Sequence, residues 1–267
     1  MKATVRNVLR GLGLRKRHLG AAWLCCERNV LATFKKPKSR DVGRILCYHS
    51  VGQTAWGVND VSPRRFRQQI ELALARGLEF VPASEIVKTG GRGTELAVTF
   101  DDGLKSVLTT AAPILKEYGI PWTAFVVSDW CEHTGGWERD VVLDWRDVEA
   151  VAAAGAEIGS HSVTHPDFSR LTQTEVEDEL GRSRHVIRER TGIDAGTFAI
   201  PFGQSGNWPI EAGEAARAAG YSIIYAQAEE TRPVGTVART FVTSFDDPRI
   251  FSAALGGVFD RWEEWVP

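Results

Sequence analysis

From residue 44 to residue 242, short apolar runs alternate with segments of helical period. This alternation constrains the chain most, because consecutive strands joined by helices pair in parallel with the helices packed outside. Strands are expected at residues 44–48, 78–81, 95–100, 122–127, 156–159, 197–200, 221–226 and 237–242. Between them, Ser62-Pro63 supplies an N-cap and a first-turn proline, and Phe66, Ile70, Ala73 and Leu74 then share one helix face. Leu104, Val107, Leu108, Ala111 and Leu115 repeat the pattern. Asp144 caps a helix through Ala154 that Gly155 ends. Thr172-Gln173-Thr174-Glu175 is a capping box that opens a long charged helix to about Gly192. About seven parallel strands point to an α/β fold with a closed or nearly closed barrel, a doubly wound open sheet being the alternative. No GxGxxG follows the first strand and no GxxxxGK[ST] occurs, which disfavours the nucleotide-binding versions.

The 267 residues are 43% hydrophobic, enough for a domain whose core needs no covalent staple. The four cysteines, Cys25, Cys26, Cys47 and Cys131, match neither a disulfide framework nor a CxxC zinc site and point to a reducing compartment. The pair Cys25-Cys26 reads as inert on a half-buried helix, with lipidation as the alternative. The net charge of −2 hides an asymmetry: residues 1–44 hold twelve Lys or Arg against Glu27 and Asp41 alone, so the remainder is acidic. Such an arm can touch anionic lipid, nucleic acid or the body's own surface, or is a solvated, loosely packed leader; it is expected to be dispensable for folding and to tether the protein to anionic membranes. The acidic body argues against nucleic acid as a partner. Lys35-Lys36-Pro37-Lys38-Ser39-Arg40 reads as a linker, dividing the chain into an arm and linker at 1–42 and a folded domain at 43–267. No clean apolar region precedes a cleavage site, and no run approaches membrane-spanning length. A cytoplasmic protein is expected, touching the membrane at most peripherally through the arm.

Three polar clusters stand at the ends of expected strands, where folds of this class carry chemistry. Asp101-Asp102 follows an apolar strand. Two adjacent carboxylates cannot both be buried without a cation or a proton, and neighbours point different ways. One can bind a metal while the other faces its water, or Asp102 can simply cap a helix before Gly103. His161 and His165 have the i,i+4 spacing of a zinc pair on a helix, but Pro166 disfavours helix at His165 and favours a turn. They are either ligands or unrelated loop histidines. With Asp102 they make one carboxylate and two imidazoles, a set that leaves a catalytic zinc room for water. The third cluster, Phe198-Ala199-Ile200-Pro201-Phe202-Gly203, is by itself only a strand end and a turn.

Thr99-Phe100-Asp101-Asp102-Gly103, His161-Ser162-Val163-Thr164-His165 and Ile200-Pro201-Phe202-Gly203, in this order and separation, resemble the first three motifs of the polysaccharide deacetylases, the NodB homology domain. Tyr48-His49-Ser50-Val51 and the run from Gly155 to His161 also resemble the branch acting on N-acetylglucosamine polymers. The resemblance extends over about residues 43–245. It implies a distorted (β/α) barrel of about seven strands that removes N-acetyl groups from an N-acetylated sugar or glycan. It further implies a divalent metal, zinc foremost and other first-row metals accepted, on Asp102, His161 and His165. Asp101 is then the general base, and Pro201 and Phe202 border the substrate and oxyanion, with a backbone N–H near Phe202 as donor.

Two positions depart from the family pattern. An Arg commonly orients the base from the third motif, where this chain has Ala199; Arg239 is a candidate replacement. The late Leu-x-His that supplies the general acid is missing, since no histidine follows His185. His185 sits in a charged helix and His133 in a loop. In the similar branch a histidine at the early position takes the acid's place, which points to His49. Trp56, Trp130, Trp137 and Trp208 fall in expected loops, where they stack on sugars or close the core. Two other functions compete: a catalytically silent carbohydrate-binding module, and a metal amidohydrolase acting on a non-sugar amide.

Overall fold

The computed structural model of the chain describes residues 16–35, 41–132, 140–261 and 263. The strands of the barrel are β1 (Arg44–Tyr48), β5 (Glu95–Phe100), β6 (Trp122–Val126), β7 (Ala156–Ser160), β8 (Thr197–Ala199), β9 (Ile223–Tyr225) and β10 (Thr240–Phe241). They lie in the order β10-β1-β5-β6-β7-β8-β9, and every neighbouring pair is parallel. Val237, just before β10, makes a parallel bridge to Tyr225, so the segment leading into β10 joins β9 back towards β1. The result is a distorted seven-stranded parallel barrel, as the alternation and the resemblance implied, and not an open doubly wound sheet. Three further strands are two residues each. β2 (Ser50–Val51) pairs with β3 (Asp60–Val61), and β4 (Glu79–Phe80) lies off the ring against the start of β5. The expected strand at 78–81 is therefore an accessory strand.

Helices cover the outside: α2 (Pro63–Ala75), α3 (Ala83–Thr89), α4 (Ala112–Tyr118), α5 (Ser128–Cys131), α6 (Trp145–Ala153), α7 (Gln173–Thr191), α8 (Ile210–Ala218) and α9 (Pro248–Leu255). Their starts follow the local chemistry. Ser62 Oγ accepts from the Arg65 amide. Asp144 and Asp147 form a reciprocal capping box, and so do Thr172 and Glu175. A π-helical turn, Val107–Ala111, leads into α4. Helix α5 lies in a stretch expected to be loop.

Period-two alternation sorts the strand residues. Leu46, Tyr48, Leu96, Val98 and Phe100 belong to the large core cluster shared with α2, α4 and α6. Ile45, Ala97, Phe125, Ala199 and Tyr225 form a separate cluster on the other side. Gly159 on β7 makes room there, since a Cβ on it would stand 2.4 Å from the Phe125 ring.

Before the barrel comes α1 (Lys16–Phe34). It packs into a cluster containing Leu24, Phe241, Ile250, Ala254, Val258 and Phe259. Arg28 is completely buried and donates to both carboxylate oxygens of Asp246, Nε to Oδ1 at 2.6 Å and Nη2 to Oδ2. Its guanidinium lies 4.2 Å from the centre of the Phe259 ring. Residues 16–34 are thus packed on the domain's own surface and are not a loosely packed leader. The reason is tertiary: Arg28 reads as a solvated charge until the fold brings in an aspartate 218 positions away.

Candidate active site

Asp102 stands just beyond β5 in the left-handed backbone region, with φ +69°. Gly103 follows at φ +61°, where a Cβ would be crowded to 3.3 Å against Val126 Cγ1. Ser162, His165 and Phe202 also have positive φ, at +68°, +61° and +63°. Non-glycine residues rarely adopt this region, and such strain concentrates at functional sites. Here it gathers on the loops after β5, β7 and β8. His165 is not helical, in agreement with the turn that Pro166 implied.

Those loops converge. One donor atom from each of Asp102, His161 and His165 lies within 4.8 Å of the others. Asp102 Oδ1 is 3.5 Å from Nε2 of His161 and 3.5 Å from Nε2 of His165. Ligands about 2.0–2.2 Å from one tetrahedral ion stand roughly 3.4 Å apart, so the three residues fit a metal. The surroundings agree. His161 Nδ1 is 2.8 Å from the Ala199 carbonyl oxygen, which can only accept, so this nitrogen carries the proton and Nε2 presents its lone pair. The Trp56 indole donates to Asp102 Oδ2 at 2.9 Å and leaves Oδ1 for the histidines' side. His165 is held between rings, stacked on Trp130 at 5.6 Å and edge-on to Phe202 at 4.7 Å. Burial, seconded by His161, pushes the His165 pKa down to about 4, so the ring is the neutral form that ligates. On Asp102, burial works against the charge, but the imidazoles around it, His161 first, outweigh it and hold its pKa well below the ordinary carboxylate value.

Asp101 sits beside this centre and is buried. Arg239 grips it with two bonds, Nη1 to Oδ1 at 2.6 Å and Nη2 to Oδ2 at 2.7 Å. The Cys47 thiol donates to Oδ2 at 3.3 Å. Burial raises the Asp101 pKa, yet Arg239 and then His161 more than offset it and bring it to about 2. Arg239 is itself fixed by Thr99 Oγ1 at 3.2 Å and lies 5.3 Å from the centre of the Phe125 ring. The arginine missing from the third motif is therefore supplied from the segment before β10.

The His161–His165 loop is braced from α7. Buried Glu179 accepts from the amides of Val163 at 2.8 Å and Thr164 at 3.0 Å, and from Thr164 Oγ1 at 2.7 Å. Ser183 donates to the Ser162 carbonyl at 3.1 Å. The sequence singles out neither residue within the long charged helix. Three of these bonds come from or go to backbone groups, and no side-chain pattern advertises a backbone partner.

A cleft of about 290 Å³ opens onto these groups. Its wall includes Asp101, Asp102, His161, His165, His49, Arg239 and Phe202. Pro201 is buried and does not contribute to that wall. Two buried polar atoms of lining residues, His49 Nδ1 and Asn59 Oδ1, have no partner among the described residues. His49 packs edge-on against Phe241 at 5.3 Å. His185 is exposed on α7, and His133 lies outside the described residues. Of the loop tryptophans, Trp56 and Trp130 line the cleft, and Trp208 closes the core against Phe168 and Phe198. Trp137 lies outside the described residues.

Among solved structures, the chain superposes on IcaB from Ammonifex degensii with a TM-score of 0.67 at 25% identity, covering 82% of this chain and 100% of that one. It matches the fold of the Streptococcus pyogenes deacetylase PplD, in complex with acetate, with a TM-score of 0.68 at 19% identity, covering 82% and 99%. In sequence it is 31% identical over 114 residues to a chitooligosaccharide deacetylase of Bradyrhizobium sp. (strain ANU 289), covering 41% of this chain and 48% of that protein. Against the peptidoglycan-N-acetylglucosamine deacetylase PgdA of Listeria monocytogenes (strain EGD-e) the identity is 29% over 124 residues, covering 46% and 24%. The chain thus spans less than half the length of these curated relatives. The profile described as Polysaccharide deacetylase matches residues 88–224, just over half of the chain. That interval contains Asp101, Asp102, His161, His165 and Phe202, five of the residues that the fold draws into one cleft, and with this agreement of profile, motif and geometry the chain belongs to the polysaccharide deacetylase family.

Proposed function

We propose that the protein is a metal-dependent hydrolase that removes N-acetyl groups from an N-acetylglucosamine-type sugar or glycan and releases acetate. The observation that carries this reading is a carboxylate and two imidazoles at ligand spacing, beside a second carboxylate gripped by arginine. Asp102, His161 and His165 hold the ion. Zinc suits the donor set, and other first-row metals bind similar sites. A divalent ion supplies Lewis acidity towards water and the acetamide carbonyl, which a base as weak as Asp101 requires.

Asp101 takes the proton of the attacking water on a carboxylate oxygen. Arg239 keeps it ionised and oriented, and the oxygens retain lone pairs for this purpose. The backbone N–H beside Phe202 donates to the developing oxyanion. His49, on the same cleft wall, delivers a proton to the departing amine. The exposed His185 is remote from this role.

Acetate release from N-acetylglucosamine oligomers, before and after chelation and metal restoration, tests the reading. Metal-dependent release that the double variant His161→Ala/His165→Ala loses together with bound metal is the expected result. Unchanged glycan binding with no release by the loaded protein would identify a silent binding module. Release only from non-sugar amides would identify the other amidohydrolase.

A further inference from the structure

Helix α1 is apolar on the face turned away from the barrel as well as on the face that docks. Leu24 and Arg28 are buried against the domain, whereas Trp23, Val30 and Phe34 are 65%, 54% and 80% exposed. Cys26 is exposed as well. Steps of three and four residues place 23, 26, 30 and 34 on one stripe. A helix docked on a domain normally turns charged and polar side chains outward. These four are uncharged, the half-exposed Glu27 borders them, and cations flank the stripe in sequence: Arg15-Lys16-Arg17 at its start and Lys35-Lys36-Pro37-Lys38-Ser39-Arg40 after its end. No helix of the described residues is long and apolar enough to cross a membrane.

We propose that this stripe docks the protein on an anionic lipid bilayer, with α1 in the plane of the headgroups and Trp23, Val30 and Phe34 entering the acyl boundary. Aromatic and aliphatic residues on one face with Lys and Arg beside them are the pattern of an interfacial helix. Charge selects the occupant. Residues 1–44 hold twelve Lys or Arg against two acids. Pairing the stripe with a second copy brings two such segments together, whereas anionic headgroups neutralise them. The rest of the chain is acidic and is repelled by the same surface. The buried Arg28–Asp246 bonds therefore matter, because they fasten the attractive element to the repelled one. This inference does not depend on the deacetylase reading.

Co-sedimentation of the full chain tests it, with phosphatidylcholine vesicles and with vesicles that also contain phosphatidylglycerol. The protein is expected to bind the anionic vesicles preferentially, and less at high salt. Trp23→Ser/Phe34→Ser should weaken that binding by at least about tenfold, since each aromatic loses its apolar burial. The same variant should keep its melting temperature. Equal vesicle binding by variant and parent overturns the proposal, and so does no preference for anionic lipid. A concentration-dependent dimer that the variant abolishes, without vesicle binding by the parent, shows that a second copy covers the stripe and also overturns it.

Discussion

Among the described residues, the two most deeply buried arginine–aspartate pairs serve opposite ends. Arg239 and Asp101 meet at the cleft. Arg28 and Asp246 meet where α1 lies on the domain, both side chains fully buried. Asp246 is closed off: Thr243 Oγ1 donates to its Oδ1 at 2.7 Å, and Gln69 Nε2 donates to its backbone carbonyl at 2.9 Å. Asp101 is gripped as firmly but borders open space on one side. The same ion pair is thus a fastener when sealed and a poised charge when one side opens. A buried pair adds little net stability against an apolar replacement, but removing one partner strands the other.

The largest effect should come from the open pair. Asp101→Asn should keep its metal and lose ~10²–10⁴-fold in kcat, because an amide cannot accept the proton. Metal content by elemental analysis and steady-state kinetics decide this, and near-normal kcat would refute the role of Asp101.

Arg239→Met separates ionisation from position. Burial raises the Asp101 pKa, and Arg239 is the strongest influence bringing it down to about 2. Without the arginine the pKa rises. The base works ionised, so the acid limb of the pH–rate profile should move up towards neutrality. In the parent protein the stability contributed by Asp101 is present above its unfolded value of 3.8 and is lost as pH falls towards about 2. An unmoved acid limb would show that Arg239 does not set the ionisation of the base.

Glu179 sharpens the contrast, being a buried carboxylate that no arginine among the described residues grips and that backbone amides hold instead. Glu179→Gln replaces one acceptor oxygen by a donor facing those groups. Metal affinity should fall by about 10–100-fold, as for other groups that orient metal ligands. Titration with Zn2+ checks this, and unchanged affinity would mean that the loop holds its ligands unaided.

The sealed pair should matter least to turnover. Arg28→Met is expected to cost roughly 3–5 kcal/mol of stability and to leave kcat unchanged below the melting transition. Adding Asp246→Leu should recover much of that loss, since the stranded carboxylate is then gone. A large fall in kcat in the folded single variant would show that α1 is coupled to the cleft.

The sequence by itself determined the succession of strands and helices, the caps at Ser62, Asp144 and Thr172, and the grouping of Asp101, Asp102, His161 and His165. These are local properties: side-chain period, cap chemistry, and polar residues placed where a strand runs out. It also determined that His165 leaves the helical region, because proline constrains its neighbour. The tertiary structure decided what each polar atom meets. Arg239 reaches Asp101 across 138 positions because barrel closure carries the segment before β10 against β1. Trp56, read in the sequence only as a loop tryptophan, lines the cleft and donates to Asp102. Arg28 turned from part of a basic arm into a buried bond. Register and closure choose such partners, and both are properties of the whole ring, which no window of sequence contains.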